Sequence, residues 1–145
     1  MTTTLQILFG SAVLTLCALV HVGIVASAIP VLERVGRRVT RFSHAFASSV
    51  VLGTGVLITL LAHTVQVWAW AVAFILSGAM TDIPTSFYFS MVTYTTLGYG
   101  DLVLGEALRI FATFAAVTGL LTFGISTVFL ISILGSLFPE IYTRR

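Results

Sequence analysis

Residues 95–101 read Thr-Thr-Leu-Gly-Tyr-Gly-Asp, and the chemistry of this string lies in its main chain. Gly98 and Gly100 can take positive φ without steric cost, so that successive carbonyls can face one axis instead of alternating. A narrow, dry column of carbonyl oxygens can replace the water shell of a cation. Little else in the chain can do chemistry. The acids are Glu33, Asp82, Asp101, Glu106 and Glu140, and they are dispersed. A small membrane enzyme acting on phosphate would need carboxylates or histidines clustered around magnesium or phosphate. Cys17 is the single cysteine, so no intrachain disulfide is possible.

The elements that must position this string are apolar. Hydrophobic residues make up 58% of the 145 and charged residues 8%, against roughly 45–50% and 25% in soluble proteins. Residues 1–32, 42–81 and 110–139 contain no Asp, Glu, Lys or Arg. A spanning helix needs about 20 apolar residues, so each block is long enough, and no soluble core of this size hides three of them. Ala26-Ser27-Ala28 resembles a cleavage site, but no basic residue precedes Leu5 and a signal peptide needs a positive start and a shorter apolar core.

Arginine sets the expected orientation. There is no lysine, and the positive residues are Arg34, Arg37, Arg38, Arg41, Arg109, Arg144 and Arg145. Positive loops stay in the cytoplasm. The N-terminus is therefore expected outside, residues 31–44 inside, the 80–109 region outside and the C-terminus inside. Helix one is expected from about Leu5 to Ile29, stopping near Pro30. Val31, Val35, Val39 and Phe42 keep helical spacing, which suits either a short helix along the inner membrane surface or a solvated basic connector. The second spanning helix is expected over about Ala45–Ser77, longer than the ~30 Å hydrocarbon core. Asp82 or Thr81 can cap a short helix Thr85–Thr95 with Pro84 in its first turn. That helix cannot span, and such a re-entrant segment is tolerated only when buried in protein or lining water. Its C-terminal end carries partial negative charge, which favours a cation. Arg109 opens the last helix.

The string follows the aromatic segment Phe87–Tyr94 and precedes a charge-free block. In that setting it resembles the potassium channel pore family, specifically its small bacterial members, over about residues 45–135. The resemblance implies an all-α membrane protein with three transmembrane helices, a re-entrant pore helix and a selectivity filter. Residues 1–30 would be an extra transmembrane helix, 31–44 a cytoplasmic basic interfacial connector, 45–139 the pore domain and 140–145 a short cytoplasmic tail. The carbonyls of Thr96, Leu97, Gly98 and Tyr99, with the Thr96 hydroxyl, would hold K+, and Gly100 would complete the filter. Leu97 stands where the family more often has Val or Ile, so its extra bulk must be absorbed behind the filter. Tyr99 would point away from the pore and brace the filter against the short helix. Tyr88, Thr95 and Asp101 would support it.

The resemblance continues in Gly119–Thr127, similar to the family's inner helix. It implies a hinge at Gly119 and a pore-lining, gating side formed by Leu120, Phe123, Thr127 and Ile131, although such a stripe with Gly119 and Gly124 is also how spanning helices pack. Val92 stands where the family's prototype carries an acid that bonds the aspartate after the filter. Tyr88 stands where the prototype has a tryptophan donating to that aspartate, and a tyrosine hydroxyl can donate in its place. A Tyr88–Asp101 hydrogen bond is therefore expected. The implied function is a potassium-selective channel in the inner cell membrane, working as a homotetramer in the lipid bilayer, with no cofactor and no nucleic-acid partner. A weakly selective cation channel of the same fold is the alternative, and the presence of Tyr99 argues against it.

Other residues remain. His63 and Gln66 lie mid-membrane on the second helix, where a polar pair is a functional candidate. A buried hydrogen bond to the short helix is favoured over a pH sensor. His21 and His44 are expected to be packing and interface residues. Helix one has no arginine ladder, which excludes a voltage sensor, and its lack of charge predicts packing on the outside of the pore unit. No nucleotide- or calcium-binding regulatory domain is expected.

Overall fold

The computed structural model describes residues 1–39 and 41–138. Pro139, the predicted tail 140–145 and with it Arg144 and Arg145 lie outside the described residues. Four helices follow one another: α1 Thr3–Val39, α2 His44–Leu76, α3 Ile83–Tyr94 and α4 Arg109–Leu137. α1, α2 and α4 are long and apolar enough to cross a membrane.

Helix α1 does not stop at Pro30 but runs through it to Val39. Proline at this position withholds only the amide that would bond the carbonyl four residues earlier, and spanning helices tolerate that loss. At about 1.5 Å per residue, α1 is nearly twice as long as the hydrocarbon core is thick. The stretch carrying Val31, Val35 and Val39 is thus the last part of α1, not a separate surface helix. Glu33 and Arg37 pair along it at 3.5 Å, an exposed contact of small energetic weight. Ser43 then caps α2 by accepting from the Phe46 amide.

Gly78, at φ +73, reverses the chain after α2. Asp82 starts α3 by accepting from the Thr85 amide at 2.9 Å, with Pro84 in the first turn where its missing amide costs nothing. Hydrogen bonding from Thr85 holds the Asp82 carboxyl below the usual carboxylate range, so this cap persists until the pH falls below that range.

The start of α4 has no cap of its own, because Leu108 occupies the N-cap position. The cap comes from α1. Gln6 is buried, and its Oε1 accepts from the amides of Ile110 at 3.1 Å and Phe111 at 3.2 Å. Its Nε2 donates to the Glu106 carbonyl at 3.3 Å. One side chain from the first helix thereby satisfies the unpaired amides of the last. Below it, Phe9 stacks on Phe111 at 5.1 Å between centroids. Gly10 lets the two helices close up, since a Cβ there would meet the Phe114 ring. α1 thus packs on α2 and α4. The core beneath is aromatic, with Trp70, Phe74, Phe89, Tyr94 and Phe111 buried together with Cys17.

Replacing Gln6 with Leu leaves two amides at the head of α4 without an acceptor. The expected loss is about 1–3 kcal/mol, read as a lower midpoint in reversible detergent-induced unfolding. An unchanged midpoint would show that this cap contributes nothing.

Candidate functional site

α3 is held to α2 by a three-rung ladder. The Ser86 hydroxyl donates to the Ala71 carbonyl at 2.7 Å, and the Ser90 hydroxyl donates to the Val67 carbonyl at 2.7 Å. One turn further, the Tyr94 hydroxyl lies 2.8 Å from His63 Nδ1. Each step moves four residues up α3 and four residues down α2, as antiparallel helices in contact require. The expected bond from His63 to the short helix is present. Gln66 departs from expectation: its amide is fully buried, and neither Oε1 nor Nε2 has a partner among the described residues. Sequence reasoning missed Ser86 and Ser90. The available signal was their spacing with Tyr94, which lines three hydroxyls along one face of an apolar helix.

The segment after α3 turns its amides back onto that helix. The Thr95 amide donates to Met91 and the Thr96 amide to Thr93, both at 3.0 Å. The amides of Leu97 and Gly98 share the Val92 carbonyl at 3.0 and 3.3 Å. The Thr95 hydroxyl adds a 2.7 Å bond to Met91. Positive φ occurs at Thr96 (+60), Gly98 (+53) and Gly100 (+78), but not at Leu97 or Tyr99. Handedness therefore alternates from residue 96 to residue 100. Such alternation inverts every second peptide plane, which brings successive carbonyls to one side. Among the described residues no hydrogen bond ends on the carbonyls of Thr96, Leu97, Gly98 or Tyr99. Positive φ was anticipated at the two glycines. At Thr96 it was not, since a β-branched residue rarely adopts it, and it is a local strain held by the bonds around it.

The far end of the segment is tied to the same helix. The Tyr88 hydroxyl donates to Asp101 Oδ2 at 2.6 Å, as expected, and the Leu102 amide donates to Oδ1 at 3.0 Å. Val92 is buried and contributes its carbonyl only. Two expected contacts are not made within this one chain. Tyr99 is 68% exposed and makes no hydrogen bond or ring contact with α3 among the described residues, so it does not brace the segment against its own short helix. Leu97 is 54% exposed, and its bulk is not absorbed behind the segment. Both side chains leave the backbone on the side away from the packed core.

α4 backs the foot of the segment. A Cβ on Gly119 would overlap the Tyr94 carbonyl oxygen, so glycine is what allows α4 to lie against the end of α3. The helix is continuous through this point. Thr118, Gly119, Thr122 and Ser126 are buried against the chain's own helices. Leu120, Phe123, Thr127 and Ile131 lie on the exposed side. Phe123 sits at the boundary, stacked on the His63 ring at 4.3 Å. His21 is buried beside His63, with ring centroids 5.0 Å apart. His44 opens α2 and meets Phe138 edge-on at 6.1 Å.

Residues 60–136 match the family model described as an ion channel. The matched stretch holds the second half of α2, α3, the 95–101 segment and nearly all of α4, and α1 lies outside it. No curated protein and no solved structure matches.

Gly119→Ala forces a methyl group into the Tyr94 carbonyl, and overpacking of this kind costs about 1–3 kcal/mol. Gly53→Ala is the control, because open space surrounds Gly53. Detergent-induced unfolding should show a loss for the first and none for the second. Equal behaviour of the two would remove the close approach of α4 to α3.

Proposed function

The chain belongs to the ion channel family, a multi-pass membrane protein with its matched region centred on residues 95–101, and from that premise we propose that it is a potassium-selective channel. The observation that carries this reading is the alternation of φ at Thr96, Gly98 and Gly100, with the carbonyls of 96–99 free of hydrogen bonds among the described residues. Rings of such carbonyls, with the Thr96 hydroxyl, replace the hydration shell of K+ layer by layer. The segment is then the filter and α3 the pore helix, whose C-terminal end adds its partial negative charge at the filter's foot. One strand cannot surround an ion, so four chains assemble around a common axis. Their contacts use the faces that a single chain leaves exposed, including Tyr99, which braces the filter through a neighbouring copy.

In this assembly Leu120, Thr127 and Ile131 line the passage below the filter, with Phe123 at its edge where it touches His63. Gly119 first serves close packing, and bending there must release the contact with Tyr94. The arginines at the end of α1 and Arg41 after it face the cytoplasm, and the filter opens outward in the inner cell membrane. The transported K+ is the only ion the site takes, and no cofactor enters the mechanism.

Purified protein in liposomes should pass K+ in large excess over Na+, and the native complex should have the mass of four chains. Tyr99→Asp removes the aromatic brace, so discrimination should fall while conduction survives. Equal K+ and Na+ flux in the unmodified protein, or a complex of two or three chains, would overturn the proposal. Tyr88→Phe cuts the bond to Asp101 and should change filter inactivation or open probability while the assembly keeps its size. Unchanged gating would show that this bond is not the filter's outer clamp.

A further inference from the structure

Each of the four helices places a polar side chain in one buried cluster. His21 Nε2 lies 3.0 Å from Ser126 Oγ, and His63 Nε2 lies 3.1 Å from the same atom. His63 Nδ1 lies 2.8 Å from the Tyr94 hydroxyl, which is 2.6 Å from Thr122 Oγ1. Thr122 Oγ1 lies 2.8 Å from the Thr118 carbonyl and 3.1 Å from the Gly119 carbonyl.

One direction for every bond follows once the Thr122 proton is placed on the α4 backbone. A carbonyl only accepts, and with its proton on the α4 backbone Thr122 accepts from Tyr94. The Tyr94 proton is then committed, and its oxygen accepts from His63 Nδ1–H. A neutral imidazole carries one proton, so His63 Nε2 accepts from the Ser126 hydroxyl. Ser126 in turn accepts from His21 Nε2–H. The remaining nitrogen, His21 Nδ1, is then a bare lone pair, and it is the one ring nitrogen of the cluster without a partner among the described residues. No acid or arginine bonds any member of the cluster among the described residues. Cys17, one turn before His21 on α1, is the other titratable group of this core.

We propose that His21 is a positioning residue of the filter, the start of a one-directional hydrogen-bond chain that runs through Ser126, His63, Tyr94 and Thr122. Its role rests on the channel reading given above. Tyr94 is the last residue of α3 and leads directly into Thr95 and Thr96. Its carbonyl rests on Gly119 and its hydroxyl is fixed from two sides, by His63 and by Thr122. A chain of bonds with one polarity strengthens cooperatively, so removing the first donor loosens the last. α1, which lies outside the family match, thereby orients the foot of the filter without touching an ion.

The chain requires opposite tautomers in two neighbouring rings, Nε2–H on His21 and Nδ1–H on His63. Nitrogen NMR of histidine-labelled protein in liposomes reads both directly and does not depend on conduction. Nε2–H on both rings overturns the inference. In recordings, His21→Leu and Ser126→Ala should each change filter open probability roughly two- to tenfold, the worth of one hydrogen bond. The double variant should be no worse than either single one, because both cut one chain. His21→Gln, whose amide can stand in for Nε2–H, should restore the unmodified value. Additive effects, or a Gln variant no better than Leu, would overturn the positioning role. Opposite tautomers in a protein that passes no K+ would leave the bond chain standing and refute the channel reading instead.

Discussion

A bilayer supplies no hydrogen bonds, so a short helix that enters a membrane without crossing it must find every polar partner inside its own protein. In the proposed channel α3 is such a helix, and the rest of the structure answers to that constraint. α3 meets it with side chains that bond the backbone of α2, at Ser86 and Ser90, and with a hydroxyl at Tyr94 that reaches both α2 and α4. The rungs share one register, so a one-residue slip between the helices would unmake all three. Rigidity at the end of α3 is thus a by-product of satisfying polar groups in an apolar medium.

The strained segment draws on that rigidity. Positive φ at Thr96 persists because the amides of 96, 97 and 98 are held by the last turn of α3 and because Asp101 is tied back to Tyr88. Both anchors lie on one helix, so the segment cannot relax by moving its ends apart. What the anchors leave over is a row of carbonyls with no protein partner. In the proposed assembly the site would be dry, unpaired carbonyls there would cost several kcal/mol each, and a desolvated cation would remove the cost. Selectivity in the proposed channel is thus a consequence of where the amides go.

How much was legible in the sequence depended on whether one segment or two set the feature. Charge-free blocks delimit α2 and α4 closely, because span length and charge are local properties. Asp82, Pro84 and the glycines at 98 and 100 read correctly for the same reason. Pro30 misled, because a rule about helix ends in water does not hold where neighbouring helices and lipid surround the break. Ser86 and Ser90 were invisible as a site, since their meaning depends on which carbonyls α2 offers. Gln6 was unreadable as a cap, because its partners lie over a hundred residues away. The packing expected of Tyr99 and Leu97 is not found within one chain, where both side chains are exposed.

Gln6 also bears on the order in which the molecule is built. During synthesis α1 enters the membrane first and α4 last. The head of α4 arrives with amides that nothing in its own sequence can satisfy, and the acceptor has been waiting on α1 since the start. Closure of the bundle therefore brings the first turn of α1 to the head of α4. A chain lacking its first turn would still insert all later helices, yet would be left with an unfinished last one. Quality control that recognises unpaired backbone in the membrane would find such a chain at that position.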